Sequence, residues 1–351
     1  MKKAIFFDPY LETIGGGERY VFTLVESLLV KGWSVDVLWN RPFEEIKEKV
    51  ALRFKLDIGK VNFVAPSSNI IGRWRQQQKY DLAFWLSDGS VPFLFAKKNI
   101  LHFQVPFHGV SGKSGVNPVK TKKINHVVCN SKFTKSFIDN EFGVNSEVVY
   151  PPVDVEAIKP GKKENIILCV GRFSQLLQAK RQDVLIDTFK IMIDKGLFGW
   201  RLILAGATDI GGKEYFEALK QRAIGYPIEL IENADFQEIC QLYAQAKLFW
   251  YAAGFEIDET KQPEKTEHFG ITSVEAMAAG VVPLVLGKGG PKEVIKQGEN
   301  GFVWQTKEEL INLTYKLIHS PSLLKELSEK VIKSSKDYSK EKFCQAFEKL
   351  I

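Results

Sequence analysis

No stretch of this sequence is apolar over the roughly 20 residues that a bilayer-spanning helix needs, so no such helix is expected. Met1-Lys-Lys and Ala4-Ile-Phe-Phe7 begin like a secretion signal, but Asp8-Pro9 ends the run too early. That segment reads instead as a first buried strand. Cysteine is scarce: Cys129, Cys169, Cys240 and Cys344 are scattered without metal-type spacing, which excludes a disulfide framework and a cysteine-held metal. Buried thiols suit a reducing cytoplasm, the expected location. The five histidines are equally dispersed, so no metal site is expected. There is no internal repeat, and the glycine-rich stretch at 15–17 lacks the G-x-G-x-x-G spacing of a dinucleotide fingerprint.

Acid is missing from one long stretch. Between Asp88 and Asp139 there are eight lysines and no carboxylate, and six of them are Lys113, Lys120, Lys122, Lys123, Lys132 and Lys135. The whole net charge of +6 lies in residues 1–160, and the remainder is balanced. A face built from Lys97–Lys135 would attract phosphates or an anionic membrane surface, here the inner face. Nucleic acid is not expected, because no recognition motif accompanies the charge. A solvated lysine surface is the plainer alternative.

What is present is the material of two α/β domains. At 351 residues the chain can bury two cores, and 45% hydrophobic with 26% charged residues is a globular composition. Strand-like runs at Lys3–Asp8, Ser34–Trp39, Asp81–Leu86, Asn99–Phe103 and His126–Cys129 alternate with helical patterns at Gly16–Val30 and Ser131–Phe142. After a Pro-Gly-Lys-Lys linker at 160–163 a second set begins. Its strands are Asn165–Val170, Trp200–Ala205, Ile228–Ile231, Leu248–Tyr251, Val282–Leu286 and Phe302–Trp304. Helices are expected at Lys180–Asp194, Lys213–Arg222, Phe236–Gln245 and Thr272–Ala279, near Pro291–Lys296, and around 306–318, 321–334 and 340–350. Such alternation implies two parallel sheets covered on both faces, with a ligand at the carboxyl ends of the strands. The domains are placed at 1–157 and 158–335, followed by a terminal segment, 336–351.

Four clusters carry candidate chemistry. Glu267-His-Phe-Gly-Ile-Thr-Ser-Val-Glu275 puts carboxylates at both ends of a loop entering a helix. The helix N-terminus near Thr272 suits an anion, Gly270 permits close approach, and the carboxylates can accept from hydroxyls. Phosphate and hydroxyls at one site suggest a sugar nucleotide. Thr272 and Glu275 also satisfy a Ser/Thr-x-x-Glu capping box, in which glutamate only closes the helix start. Gly171-Arg172, directly after a strand, and Lys180, at the next helix start, form a pair of cations suited to clamping a diphosphate. Gly15, Gly16 and Gly17 join the first strand to the first helix, where backbone approaches a phosphate or sugar. His102 ends an apolar strand, and a satisfied core histidine is its plain reading.

Taken together, these residues resemble the retaining glycosyltransferases of family 4, whose GT-B fold pairs two Rossmann-like domains facing across a crevice. The resemblance rests on Glu267 to Glu275 with the following Ala-Met-Ala-Ala-Gly-Val-Val-Pro, Gly289-Gly290-Pro-Lys-Glu293, Gly171-Arg172-Phe173 with Lys180, Asn130-Ser131, Tyr150-Pro-Pro-Val-Asp154, and Gly-Gly-Gly-Glu-Arg19. Ser174–Ala179 lengthens the Arg172–Lys180 interval relative to the family. The Glu-His-Phe-Gly-Ile and Gly-Gly-Gly-Glu-Arg segments are similar to those of mannosyltransferases that extend lipid-linked oligosaccharides.

The resemblance implies that Arg172 and Lys180 hold the donor diphosphate, and that Glu275 accepts from the ribose. Glu267 would bind the transferred sugar with backbone N–H groups of Phe269, Gly270 and Ile271. Gly16 and Gly17 would line the crevice, His102 would stand near the reacting sugar, and the C-terminal helix would return to the first domain. The implied reaction moves a hexosyl group from GDP-mannose or a UDP-sugar to a glycan, glycolipid or polyprenol-linked acceptor, with retention, no cofactor and no metal. The alternatives at this stage are a non-catalytic sugar-nucleotide-binding protein and a glycosidase or phosphorylase using Glu267 and Glu275.

Overall fold

The computed structural model describes residues 1–12, 14–176, 178–208 and 211–351. Leu177, within the lengthened Ser174–Ala179 interval, lies outside the described residues. The chain divides into two compact units, one formed by Met1–Pro152 with Lys340–Ile351 and the other by Val153–Ser339.

Unit 1 runs β1 (Lys3–Phe7), α1 (Gly16–Val30), β2 (Ser34–Leu38), α2 (Glu44–Phe54), β3 (Asn62–Val64), α3 (Ile70–Gln77), β4 (Leu82–Leu86), β5 (Lys98–Phe103), α4 (Asn117–Thr121), β6 (His126–Cys129), α5 (Lys132–Phe142) and β7 (Glu147–Val148). The strands form one parallel sheet in the order β3-β2-β1-β4-β5-β6-β7. Its strands are buried on both faces because helices cover them, so their sequences are near-continuous apolar runs. Val21, Leu24, Val25 and Leu28 face α1 inward, against Ala4, Phe6, Phe84 and Ile100. Ser131 opens α5 with its hydroxyl accepting from the Thr134 N–H at 3.0 Å, and Gly143 closes it.

Unit 2 runs β8 (Ile166–Val170), α6 (Gln182–Asp194), β9 (Arg201–Gly206), α7 (Lys213–Ala223), β10 (Ile228–Glu232), α8 (Phe236–Gln245), β11 (Leu248–Tyr251), α9 (Ile271–Ala278), β12 (Val282–Leu286), α10 (Pro291–Val294), β13 (Phe302–Trp304), α11 (Lys307–Ile318) and α12 (Pro321–Ser335). Its parallel sheet has the order β10-β9-β8-β11-β12-β13. In both sheets the order reverses beside the first strand. Each unit therefore has a switch point, between β1 and β4 and between β8 and β11, at which ligands of this fold class bind.

The last helix, α13 (Lys340–Glu348), belongs to unit 1. It buries Phe343 and Phe347 edge-on to Tyr20 of α1, with ring centroids 4.7 and 5.8 Å away.

The sequence pattern misses α2, β3, α3 and α4. β3 and α4 have three and five residues, α3 and α4 present apolar residues to solvent rather than to a core, and α2 buries just Ile46 and Val50, so the periodic signal is weak. Two expected helix starts also shift. The helix expected from Lys180 begins at Gln182, because Arg181 takes a left-handed conformation with φ 52° as its cap. The helix expected from Thr272 begins at Ile271 behind Gly270, with φ 93°.

Candidate functional site

The second unit gathers its candidate residues at the carboxyl ends of β8 and β11, on either side of the switch point. Gly171 and Arg172 follow β8 directly, and the Arg172 side chain is exposed there. Gln182 Nε2 donates to the carbonyls of both Gly171 and Arg172, at 3.2 and 3.0 Å, which fixes the strand exit.

Lys180 does not point to open solvent. Its Nζ lies 2.5 Å from Glu267 Oε2, with the two side chains only 10% and 14% exposed. Arg181, its neighbour, is bound to Asp183 and to the Phe255 carbonyl, so it points elsewhere. Tyr251, the last residue of β11, donates its hydroxyl to the same Glu267 oxygen. Burial alone would raise the Glu267 pKa. The Lys180 charge, its hydrogen bond and that of Tyr251 win instead, and hold it at about 2. Glu267 is thus a fixed carboxylate with its cation attached, in a low-dielectric setting.

The loop carrying Glu267 is shaped by glycine. A Cβ on Gly290 would lie 2.1 Å from the His268 carbonyl oxygen, so only glycine lets the Glu267–Phe269 backbone pass. The Gly290 N–H donates to the Glu267 carbonyl at 2.8 Å. Phe269 is buried against Tyr338, and Gly270 turns the chain into α9. The first N–H groups of α9, on Ile271 and Thr272, open the helix near Glu267, whereas the Ser273 N–H donates to the Gly270 carbonyl at 3.0 Å. Ser273 Oγ is buried there without a hydrogen-bond partner among the described residues.

The Thr272–Glu275 capping box does not form, because Thr272 stands inside the helix and Gly270 is the cap. Glu275 accepts instead from the Tyr243 hydroxyl at 3.1 Å, and Tyr243 also reaches the Thr272 carbonyl at 3.2 Å. The carboxylate is therefore oriented from α8 rather than used to close the helix.

In unit 1, Gly15 caps α1 and its N–H is taken by the Glu18 carboxylate. Gly16 is exposed, and the Gly17 carbonyl accepts from Gln104 Nε2 at 3.2 Å. His102 is fully buried, stacked on Tyr20 with centroids 4.0 Å apart, with Nδ1 3.0 Å from the Val128 carbonyl. Burial drives its pKa down to about 3, so the ring is neutral. Nδ1 then carries the proton donated to Val128, and Nε2 is an acceptor with no partner among the described residues.

Sequence reasoning passed over Asp8, which directly follows β1 and lies near Glu18. It is buried, its Oδ1 accepts from the Tyr10 N–H at 2.8 Å, and its Oδ2 has no partner among the described residues. Burial and the nearby Glu18 charge raise its pKa to about 8. Its place directly after the first strand was the available signal. Lys135, counted in the lysine run, is engaged with Asp139, Asn145 and the Ser146 carbonyl, so it braces the end of α5. No group of three or more His, Cys, Asp or Glu side chains among the described residues is arranged to hold a metal ion.

Residues 153–336 match the family described as glycosyl transferases group 1, and residues 14–157 match glycosyltransferase family 4. A GDP-Man:Man(3)GlcNAc(2)-PP-Dol alpha-1,2-mannosyltransferase of Dictyostelium discoideum is 25% identical over 60% of this chain and 43% of its own length. The Kluyveromyces lactis protein of the same name is 29% identical over 42% of this chain and 26% of its own. The chain thus spans less than half the length of these relatives. An uncharacterized glycosyltransferase of Haemophilus influenzae matches over the full length of both chains at 24% identity. Among solved structures, a Rickettsia africae glycosyltransferase superimposes with TM-score 0.78 and 16% identity over 99% of this chain and 97% of its own. Anabaena HepE, solved in complex with UDP, does so with TM-score 0.75 and 16% identity over 99% of both. With the β8/β11 switch point and the Glu267–Glu275 loop both inside the 153–336 segment, the chain belongs to the family of glycosyl transferases group 1, on a fold of the GT-B class.

Proposed function

We propose that the protein moves a hexosyl group from a nucleoside diphosphate sugar to a hydroxyl of a glycan, glycolipid or polyprenol-linked acceptor, with retention at the anomeric carbon. The observation that carries this reading is the cluster of Arg172, Lys180, Glu267 and the α9 N-terminus at one sheet edge of unit 2. Arg172, Lys180 and the N–H groups of Ile271 and Thr272 supply positive charge for a diphosphate. Glu267, held ionised, accepts from sugar hydroxyls, and Glu275, aimed by Tyr243, accepts from the ribose. The anomeric C–O bond to the diphosphate breaks as the acceptor oxygen bonds on the same face. The departing diphosphate takes the acceptor proton. Catalysis rests on stabilising the leaving charge rather than on an enzymic nucleophile.

Support for the donor class comes from UDP in the HepE complex and from the GDP-Man named in the two mannosyltransferases. The dolichyl diphosphate in those names supports a lipid-phosphate acceptor and docking of the lysine-rich Lys97–Lys135 face on an anionic membrane. Turnover in this reading needs no metal and survives a chelator. A hydrolase in which Glu267 serves as the acid is disfavoured, since a carboxyl held at about 2 has no proton to give near neutrality. The test is a thermal-shift screen of GDP-mannose and UDP-sugars, followed by release of nucleoside diphosphate and NMR of the product anomer. No stabilisation by any of them, or an inverted product, ends this reading.

A further inference from the structure

In unit 1, α3 turns an apolar stripe outward. On α3, Ile70, Ile71 and Trp74 are 52%, 60% and 46% exposed, although residues of this kind are normally core. Ile70 and Trp74 are one turn apart, as are Ile71 and Arg75, so the four share one stripe of the helix. Asn69 caps it, accepting from the Gly72 N–H at 2.8 Å, so the helix is held in place by its own sequence. The opposite side is anchored by Gln76, whose Nε2 donates to the Ala65 carbonyl at 3.0 Å, and the last turn by Gln77, which is buried and accepts from the Phe95 N–H at 2.9 Å.

The surroundings of that stripe are cationic. From Ile58 to Tyr80 there is no acid, while Lys60, Arg73, Arg75 and Lys79 are present. The Phe93–Phe95 strip, which Gln77 holds, is flanked from the other side by α4 and its sequel. Lys120 Nζ stands 5.1 Å from the Phe93 ring and Lys123 Nζ 5.7 Å from Phe95. The exposed Val116 and Val119 accompany these lysines, with Lys122 also exposed. The second acid-free run is thus brought next to the first.

We propose that α3 is a membrane anchor: Ile70, Ile71 and Trp74 enter the headgroup boundary of an anionic bilayer, with Arg75, Lys79, Lys120, Lys122 and Lys123 against lipid phosphates. This deepens the membrane part of the functional reading by assigning the insertion to a helix outside the Lys97–Lys135 run. The composition fits this occupant, with apolar and aromatic residues on one face and cations in excess beside them, the neighbouring Asp81 being paired with Lys97. Charge brings the surface to the lipid within a Debye length, and apolar burial holds it there. A protein partner with an apolar groove would not need two acid-free runs.

Vesicle co-sedimentation tests the assignment, using phosphatidylcholine alone and phosphatidylcholine with 30% phosphatidylglycerol as the probes. The intact chain is expected to bind the anionic vesicles and to bind neutral ones at least about tenfold more weakly. Ile70→Ser/Ile71→Ser/Trp74→Ser should weaken anionic binding by about tenfold or more in a chain that still melts cooperatively. Bromolipid quenching of tryptophan fluorescence should fall in Trp74→Phe. If the triple variant binds like wild type while Lys120→Glu/Lys122→Glu/Lys123→Glu loses binding, the anchor is the lysine run alone and the proposal fails. If the wild type ignores both vesicles and the triple variant instead abolishes self-association in light scattering, the face is a protein contact and the proposal also fails. Sugar transfer to a soluble acceptor is measured separately, so loss of docking and loss of the transfer reading are told apart.

Discussion

At the scale of single residues, charge and burial decide what each candidate can do. Lys180 and Glu267 share a buried contact, so removing one partner strands the other. Lys180→Ala and Glu267→Gln are each expected to cost about 3–5 kcal/mol, measurable by denaturant unfolding. Stability lost by Lys180→Ala that Lys180→Arg does not restore would mark the contact as specific to a compact ammonium. The pair does not shape the neutral pH profile. Glu267 has a lowered pKa, so its stabilisation is present above the ordinary carboxylate range and is lost only as the pH falls towards about 2.

Asp8 behaves the other way. Its raised pKa means that the folded state binds a proton that the unfolded chain has released. Stability is therefore highest below the unfolded carboxyl pKa and falls as the pH climbs to about 8. Asp8→Asn should gain about 1.4 kcal/mol per pH unit relative to wild type across that window, read as a growing difference in melting temperature from pH 5 to 8. A constant difference would show that Asp8 is ionised throughout. For transfer, Arg172→Ala and Lys180→Ala are expected to lower turnover by roughly 10²–10³-fold. Near-normal rates in folded variants would remove both from the site.

At the scale of elements, the Glu267–Glu275 loop depends on neighbours distant in sequence. Gly290 must be glycine because the His268 carbonyl occupies the space of a Cβ. Gly290→Ala should therefore displace the loop, destabilise unit 2 by about 2 kcal/mol or more, and abolish donor-induced thermal shifts. A fully active Gly290→Ala enzyme would show that loop position is not limiting. Glu275 likewise takes its direction from Tyr243 on α8. The E-x7-E spacing was legible as a carboxylate pair around a helix start, but the local Ser/Thr-x-x-Glu pattern pointed to a capping box that Gly270 pre-empts. Periodicity found the covered strands and long helices, because burial on two faces leaves an apolar run or stripe. It missed α3 for the opposite reason, since the apolar residues of that helix face outward.

At the scale of the molecule, the chain leaves unit 1 after Pro152 and re-enters it at Lys340, and the flanking Val153 and Ser339 pair side by side within unit 2. The last helix is part of the first core: Phe347 packs with Tyr20, Phe84 and Phe343. Phe347→Ala should cost about 3–5 kcal/mol and lower the unfolding transition of unit 1 while leaving that of unit 2 in place. Loss of both transitions together would show that the units melt as one. The amino-acid sequence alone determined the two α/β halves, the order of most strands and helices along the chain, and the glycine, arginine and carboxylate positions at strand exits. Those follow from side-chain period and backbone freedom, which are local. Only the tertiary structure decided that Lys180 meets Glu267, that Gly15 gives its N–H to Glu18, that His102 is neutral and buried, and that α3 turns its apolar stripe outward. Each of these depends on which groups lie within a few ångströms in space and how far water is excluded from them, and sequence spacing carries neither quantity.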